Sequence, residues 1–269
     1  MFQPRIIPCL LMKDNGLVKT VQFDNPRYIG DPINAVRIFN EKEADELLFL
    51  DITLSKPTGL FTRKKPAEIQ YDLLKKISRE CFMPFSYGGG IRTIEQIERL
   101  LSIGIEKVAI NTGALEDPDL IAHASRQFGS QSIIAAIDVK MGRSGTYEVF
   151  THGGTRPLKT DLMTYIHHLE GAGAGEILIT SMDRDGMMQG YDIPLVRMVS
   201  DAVRIPVIAC GGAGSVADIA EAYYTGHASA LAAGSFFVYH GRKRAVLISY
   251  PLMSEIEKLF PGGDYENSS

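Results

Sequence analysis

The sequence predicts an α/β fold in which eight strand–helix units close into a (β/α)8 barrel. Short apolar runs alternate with amphipathic segments along the chain of 269 residues, and eight such units in about 250 residues is the count of this barrel. The chain also contains an internal repeat, in which Gly89–Gly90 corresponds to Gly211–Gly212, 122 residues further on. An open doubly wound sheet is the alternative, but it rarely holds this many regular units.

The predicted strands are short, rich in Ile, Val, Leu or Ala, and bounded by Gly, Asp or Pro, which is typical of buried parallel strands. In chain order they are Arg5–Leu10, Glu46–Ile52, Pro84–Tyr87, Lys107–Asn111, Ser132–Asp138, Glu176–Thr180, Pro206–Cys210 and Ala228–Ala233. Helices are predicted between them from apolar residues at helical spacing, as in Ile94–Leu101 and Leu162–Leu169, and from the cap pattern that opens Asp192–Val203.

Two further matches have nearly the same period as the glycine repeat. The stretch "IIPCLLMK" corresponds to "IIAAIDVK" with a shift of 127 residues, so that Leu11 aligns with Asp138. The stretch "ELLFLDIT" corresponds to "EILITSMD" with a shift of 130. This period predicts two half-barrels, about 1–125 and 126–260, within one domain spanning 1–269. The polar end of the chain, 261–269, is expected to be a frayed tail.

Composition excludes several classes of function. Apolar residues make up 45% of the chain and charged residues 22%, and the net charge is −4, which argues against nucleic acid or an anionic membrane as partner. No apolar run is long enough to span a bilayer. The three cysteines show neither CxxC nor metal-ligand spacing, so buried free thiols in a reducing cytoplasm are expected. Neither a metal nor a cofactor is expected.

Small residues follow the strands at equivalent places in the two halves. One half has Gly88–Gly90 and Asn111–Thr112, and the other has Gly211–Gly212 and Ala233–Gly234. Because the chemistry of such barrels lies at the carboxyl ends of the strands, small side chains there let backbone N–H groups approach an anion. The pattern indicates a ligand with a phosphate at each end; tight turns alone are the alternative.

Other candidate residues lie in the same region. Asp138 ends the fifth strand, where a partly desolvated carboxylate can act as a general acid or base; capping the next loop is the alternative. Asp185–Gly186 follow the sixth strand and are expected to meet the second phosphate. The segment 14–31 is expected to be a long loop, with Lys13 and Lys19 as phosphate partners or parts of a mobile lid; solvated surface charges are the alternative.

Four strands begin with a charged residue: Arg5, Glu46, Lys107 and Glu176. Strand side chains alternate between faces, and Arg5, Lys107 and Glu176 share the parity of the residues expected at the mouth. They can therefore form a ring of buried ion pairs at the barrel floor, which we interpret as a gate on an axial passage, since such a ring is weak evidence for stability as such. Splaying of the four side chains into solvent is the alternative.

Over about residues 4–260 the chain resembles the cyclase subunit of imidazole glycerol phosphate synthase, a TIM barrel. The motifs that carry the resemblance are "RIIPCL", "GDP", "ADELLFLDIT", "GGGIRT", "EKVAINT", "FGSQSIIAAID", "GAGEILITSMDRDG" and "IACGGAG". The resemblance implies a glutaminase partner docked on the barrel floor as a heterodimer. It also implies that ammonia from that partner crosses the barrel and meets a bis-phosphorylated ribonucleotide at the mouth.

The resemblance also implies roles for individual residues. The family's salt-bridge gate matches Arg5, Glu46, Lys107 and Glu176, and one phosphate site matches Gly90, Asn111 and Thr112. The second phosphate site matches Asp185, Gly186, Gly212 and Ala233, with Gly234 in place of a usual serine. Asp138 matches one of two catalytic aspartates, and the other is replaced by Leu11. Loss of a proton-transfer group typically lowers a rate by about 10²–10⁴, so ring closure is expected to be impaired; Asp14 could substitute, although its place differs.

Within the family, "PCLLMKDNGLVKTVQF" resembles the cyclase-like paralogues that occur with a second glutaminase and a sugar amidotransferase in bacterial surface-polysaccharide pathways. This implies a role in supplying ammonia for an acetamidino sugar of a lipopolysaccharide. The alternatives are a working cyclase–lyase of histidine biosynthesis, a non-catalytic activator of a glutaminase, and the isomerase relative of this barrel. The four floor charges count against the isomerase, which needs no ammonia passage.

Overall fold

The computed structural model describes residues 3–54, 68–241 and 243–260. The strands are β1 (Arg5–Lys13), β2 (Gly16–Val21), β3 (Asp24–Gly30), β4 (Leu47–Asp51), β5 (Phe85–Gly88), β6 (Lys107–Ile110), β7 (Ile133–Met141), β8 (Tyr147–Thr151), β9 (Arg156–Pro157), β10 (Glu176–Ser181), β11 (Val207–Cys210), β12 (Ala230–Ala233), β13 (Tyr239–His240) and β14 (Ala245–Val246). The helices are α1 (Pro32–Glu41), α2 (Tyr71–Glu80), α3 (Ile94–Ser102), α4 (Thr112–Glu116), α5 (Leu120–Phe128), α6 (Leu162–Gly171), α7 (Ile193–Ala202), α8 (Val216–Tyr224), α9 (Ser235–Val238) and α10 (Met253–Leu259).

Eight of the strands form a closed parallel barrel in the order β1, β4, β5, β6, β7, β10, β11, β12, and β12 pairs back to β1. Helices lie between successive barrel strands, so the predicted (β/α)8 barrel is confirmed and the open sheet is excluded. All eight predicted strands are present with small shifts at their ends. The division into two half-barrels stays a prediction, and the expected frayed tail, 261–269, lies outside the described residues.

Helix starts are specified locally by capping residues. Asp192 accepts a hydrogen bond from the backbone N–H of Leu195 and begins α7, as the sequence predicts. Thr93 and Ser215 each form a capping box with the residue three positions on, and they begin α3 and α8 directly after the two glycine-rich turns. These caps fix where each helix starts relative to the mouth of the barrel.

The barrel strands separate two apolar layers. Alternate residues of β1 illustrate this, because Ile6 and Leu10 pack toward the helices while Ile7 and Cys9 pack into the barrel lumen. The lumen cluster also contains Leu48, Ala109, Ile134, Leu178, Ile208, Ala230 and Ala232. Because the alternation continues to the strand ends, Arg5 and Leu11 share the lumen face of β1 at opposite ends of the barrel.

The segment predicted as a long loop after the first strand is instead a β-hairpin. β1 continues past the barrel into an antiparallel pairing with β2, which pairs with β3. Asp14 and Asn15 both have positive φ angles and are followed by Gly16, which is the backbone and residue pattern of a tight hairpin turn. β7 makes a similar extension with β8, in which Asp138 pairs with Phe150. Within the described parts of the chain, no helix is long and apolar enough to cross a membrane.

Candidate functional site

A small cavity of about 50 Å³ lies at the mouth of the barrel. It is bounded below by the last lumen residues of the strands and above by the β2–β3 hairpin. Its lining includes Cys9, Leu11, Leu50, Asp138, Thr180, Cys210 and Ala233 from the strands, Lys19 and Phe23 from the hairpin, and Asp185, Gly186, Gly212 and Gly234 from the loops. This volume suits a molecule of the size of water or ammonia, far below the ~300–1,000 Å³ of ordinary ligand pockets.

The β2–β3 hairpin is held over the mouth by Asp185. Lys19 Nζ lies 2.8 Å from Asp185 Oδ1, and the Thr20 hydroxyl donates to Asp185 Oδ2 at 2.7 Å. The backbone N–H of Gln22 donates to the Asp185 carbonyl at 2.8 Å. Lys19 is 5% exposed, so its ammonium is a buried charge that needs this carboxylate as a partner.

Two glycines allow this close approach. A Cβ on Gly186 would lie 2.3 Å from the backbone oxygen of Thr20, and its φ of +74° favours glycine. A Cβ on Gly234 would lie 3.1 Å from Cε of Lys19. The lysine stem therefore occupies space beside the position where the family resemblance implies a serine. Lys19, which the sequence singles out as a phosphate partner, is thus the side chain that bridges the hairpin and the second predicted phosphate site.

Asp138 faces the lumen at the mouth. Asn111 Nδ2 donates to Asp138 Oδ2 at 3.0 Å. Burial, with a smaller contribution from the charge of Asp185, raises the pKa of Asp138 to about 7, against the lowering effect of the Asn111 hydrogen bond. The carboxyl is partly accessible from the mouth cavity, but that cavity is too small to hydrate an anion as bulk water does. A carboxyl that titrates near neutrality can both donate and accept a proton.

Leu11 puts an apolar side chain where the repeat and the family resemblance both place an acid. It lines the mouth cavity together with Asp138, and it pairs with Leu50 in the neighbouring strand β4. Asp14 does not replace the missing acid, because it lies in the exposed hairpin turn and its backbone N–H donates to Thr53. The mouth cavity therefore contains Asp138 without a second carboxylate on β1.

The two predicted phosphate sites differ in how closely their residues are grouped. Asp185, Gly186, Gly212, Ala233 and Gly234 all line the mouth cavity. In the other set, Asn111 directly precedes α4 and its side chain contacts Asp138, while the Thr112 hydroxyl accepts from the backbone N–H of His152 at 2.9 Å. Gly90 lies against Leu54. Both sets stay predictions as anion sites.

The four charged residues predicted at the floor contact one another. Glu46 Oε2 pairs with Arg5 and lies 3.3 Å from Lys107 Nζ. Glu176 Oε1 lies 3.0 Å from Arg5 Nη2 and 2.9 Å from Lys107 Nζ. Each carboxylate thus bridges both cations, which makes an alternating ring across the barrel axis. The alternative that these side chains splay into solvent is wrong.

The floor ring is partly shielded from water and incompletely satisfied. The side chain of Glu46 is 2% exposed and that of Arg5 31% exposed, and the Ser86 hydroxyl donates to Glu46 Oε1 at 2.8 Å. Glu176 Oε2 is buried and has no hydrogen-bond partner among the described residues. An unsatisfied buried carboxylate oxygen is costly, and it leaves one acceptor free for a small donor molecule at the floor.

Sequence reasoning did not find several residues of the mouth. Because of the hairpin, Phe23 lines the mouth cavity and Thr20 contacts Asp185. The turn sequence Asp14–Asn15–Gly16 could have indicated this hairpin. The cysteines are free, as predicted, but only Cys9 is buried, while Cys81 and Cys210 are partly exposed. The neighbouring Cys210 thiol and burial raise the pKa of Cys9, so Cys9 stays protonated. In the part of the chain that the structure describes, no group of three or more His, Cys, Asp or Glu could hold a metal.

The raised pKa of Asp138 predicts an unusual pH dependence of stability. The folded chain keeps this proton up to a pH of about 7, whereas the unfolded chain releases it near the ordinary aspartate pKa of 3.8. The wild-type free energy of unfolding should therefore fall as pH rises between these values. Asp138→Asn should be more stable than wild type by about 1–3 kcal/mol at pH 8 and not at pH 4, measured by urea unfolding.

A carboxyl ¹³C NMR titration gives an independent readout of Asp138. Asn111→Ala removes the hydrogen bond that favours the ionised carboxylate, so it should raise the pKa of Asp138 further. A wild-type titration midpoint near 4 would contradict the assigned environment.

The ion pairs of the floor ring should contribute more to the free energy of unfolding than an exposed ion pair does. Glu46→Gln removes one bridging carboxylate and leaves Arg5 and Lys107 sharing Glu176, so it should lower the free energy of unfolding by about 3–5 kcal/mol. Glu80→Gln is the matched control, because Glu80 pairs with Arg37 on the surface, where a pair contributes about 0–1 kcal/mol. Equal effects of the two substitutions in chemical denaturation would be inconsistent with a buried ring.

Comparison with known proteins identifies the family of the chain. Residues 5–243 match the model of the family described as "Histidine biosynthesis protein". The chain is 50% identical over 257 residues to the "Putative imidazole glycerol phosphate synthase subunit hisF2" of Pseudomonas aeruginosa, covering 96% of this chain and 99% of that protein. It is 44% identical over 240 residues to the "Imidazole glycerol phosphate synthase subunit HisF" of Alkaliphilus metalliredigens, covering 89% and 92%.

A third relative, the "Putative imidazole glycerol phosphate synthase subunit hisF3" of Vibrio vulnificus, is 43% identical over 259 residues, which is 96% of each chain. These relatives align with the chain over most of its length. The closed barrel, the family model and these relatives lead to one conclusion: the chain belongs to the histidine biosynthesis family of barrels that contains the cyclase subunits of imidazole glycerol phosphate synthase.

Proposed function

We propose that this barrel receives ammonia from a glutaminase docked on its floor and delivers it to the mouth. The observation that carries the proposal is the alternating ring of Arg5, Glu46, Lys107 and Glu176 across the axis of the barrel. The free Glu176 Oε2 supports it, since this oxygen can accept a hydrogen bond from an ammonia molecule that enters between the charges.

The chemistry of the lumen favours neutral ammonia over ammonium. Above the ring the lumen is lined by apolar side chains, among them Ile7, Leu48 and Leu178. Transfer of an ammonium ion into such surroundings is strongly unfavourable, whereas a small neutral molecule meets a much smaller barrier. The mouth cavity of about 50 Å³ is large enough to hold ammonia beneath the hairpin.

Ring-closing chemistry is impaired in this chain because Leu11 removes one of two acid–base groups. Asp138 alone can move one proton, and leucine cannot hold a water in place of the missing carboxylate. We therefore infer that the delivered ammonia leaves the mouth for a third protein, a sugar amidotransferase that forms the acetamidino group of a surface-polysaccharide sugar. The second phosphate-site residues around Lys19 and Asp185 serve to hold the hairpin over the mouth.

A second candidate function is the histidine-pathway cyclase–lyase reaction on a bis-phosphorylated ribonucleotide. It is favoured by the pKa of Asp138 of about 7 and by the names of the relatives. Under this function the hairpin must move away from the mouth, because the cavity is too small for the substrate. Incubation of the wild-type chain with this ribonucleotide and excess ammonium separates the two, since turnover near ~1 s⁻¹ favours the second.

Leu11→Asp should restore ring closure. It returns a carboxylate to the lumen face of β1 opposite Asp138, so the rate with the bis-phosphorylated ribonucleotide and ammonium should rise by about 10²–10⁴. Leu50→Asp is the matched control, because it adds a carboxylate to the same cavity on the adjacent strand, and it should restore little. An unchanged rate in Leu11→Asp, with the fold intact by circular dichroism, would contradict the proposal.

The restored variant also permits a test of the passage through the lumen. In the Leu11→Asp background, Ala109→Leu adds bulk to the lumen and should lower the output driven by glutamine through a glutaminase, because that ammonia enters at the floor. Output driven by free ammonium should stay unchanged, since it enters at the mouth.

Ala135→Leu provides the control for overpacking, because Ala135 is a fully buried residue of the layer between sheet and helices. Both leucine variants are expected to lose stability by about 1–3 kcal/mol. Only Ala109→Leu should lower the glutamine-driven output while leaving the ammonium-driven output unchanged. Equal loss of glutamine-driven output in both variants would count against an axial passage.

A further inference from the structure

A second, larger cavity lies on the outer side of the β2–β3 hairpin. Its volume is about 540 Å³, and it is formed by the hairpin and the segment around β13 and β14. Four cations line it: Lys19, Arg27, Lys243 and Arg244. None of the described lining residues is acidic, although the chain as a whole has a net charge of −4. A concentration of like charge in a concave surface attracts anions.

This second cavity, here called the basic cavity, shares Lys19 with the mouth cavity. A hydrogen bond also connects it to the loop that carries Asp185. Lys19 lines both cavities, and its ammonium is held by Asp185 at 2.8 Å. Arg244 donates from Nη2 to the backbone oxygen of Met187 at 3.2 Å, and this bond connects the β13–β14 segment to the loop that carries Asp185. These contacts position two of the four cations, while Arg27 and Lys243 are exposed and free to contact a ligand.

The size and charge of the cavity indicate the class of ligand. A volume of about 540 Å³ lies within the range of small-molecule sites, about 300–1,000 Å³, and far exceeds what one phosphate fills. Lys and Arg are the side chains that recognise phosphate oxygens. Asp185 neutralises Lys19, and the other three cations still exceed the charge of a single phosphate. Val21, Pro26 and Tyr239 add apolar and aromatic surface, which suits an organic group attached to the anion.

We propose that this basic cavity binds a diphosphate group carried by a small organic molecule, as in a nucleoside diphosphate. The site goes beyond the ammonia-delivering function, because only Lys19 belongs to both cavities. A bound diphosphate lies directly against the outer face of the hairpin that covers the mouth.

Titration calorimetry of the full chain at about 0.15 M salt tests the proposal, with ADP, UDP, inorganic pyrophosphate and inorganic phosphate as probes. The three diphosphates should bind more tightly than phosphate. If ADP or UDP binds more tightly than pyrophosphate, the nucleoside contributes to recognition. If they bind equally tightly, the cavity recognises the diphosphate alone. Lys243→Ala/Arg244→Ala should weaken ADP binding by about tenfold or more, because the loss of even one charge-assisted contact is worth roughly that factor.

A charge-matched control and a second variant of the cavity distinguish loss of the site from a general change in charge or folding. Lys75→Ala/Lys76→Ala removes the same charge from the exposed face of α2 and should change binding by less than about twofold. Arg27→Gln provides a second, single substitution in the cavity and should also weaken binding, whether or not the double variant folds.

Four results would overturn the site. They are no binding of any diphosphate at millimolar concentration, equal weakening by the α2 control, binding that survives both cavity variants, and tighter binding of poly-glutamate than of any diphosphate. The last result would identify a protein-binding surface instead. Because no glutaminase or glutamine is present, these outcomes are independent of whether the ammonia-delivering function holds.

Discussion

The closed parallel register of the barrel is the constraint on which the other features depend. All eight barrel strands run in the same direction and their side chains alternate, so each strand contributes one column of residues to the lumen. In β1 that column runs from Arg5 through Ile7 and Cys9 to Leu11. The floor charge and the mouth residue are thus two ends of one column, and a shift of one residue would send both into the helix layer.

Asp185 takes part in two electrostatic interactions at the mouth, one with Lys19 and one with Asp138. Asp185 neutralises the buried ammonium of Lys19 and holds the hairpin down, and its charge also opposes ionisation of Asp138. Leu11 keeps one wall of the same cavity apolar, so no cation or second acid on that wall assists Asp138. The result is a small space in which Asp138 faces an apolar wall, and the ammonia-delivering function proposed above needs no second acid there.

The barrel and its floor ring could be predicted from the sequence because they follow from local patterns. Short apolar runs mark the strands, and the parity of Arg5 relative to Leu11, or of Glu176 relative to Thr180, follows from counting residues. The pairing of Lys19 with Asp185 could not be predicted in this way, because it joins residues 166 positions apart through a hairpin that was interpreted as a loop. The basic cavity depends on the same hairpin and on the chain near β13, so it too emerges only from tertiary packing.

The most direct measurement follows the nitrogen itself. The chain, a glutaminase partner and amide-¹⁵N glutamine are mixed with the bis-phosphorylated ribonucleotide, and ¹⁵N NMR records where the label goes. Delivery without ring closure predicts that glutamine hydrolysis depends on the chain and that the label emerges as free ammonium. Label appearing in an imidazole ring at the rate of glutamine hydrolysis would contradict that claim and identify a working cyclase.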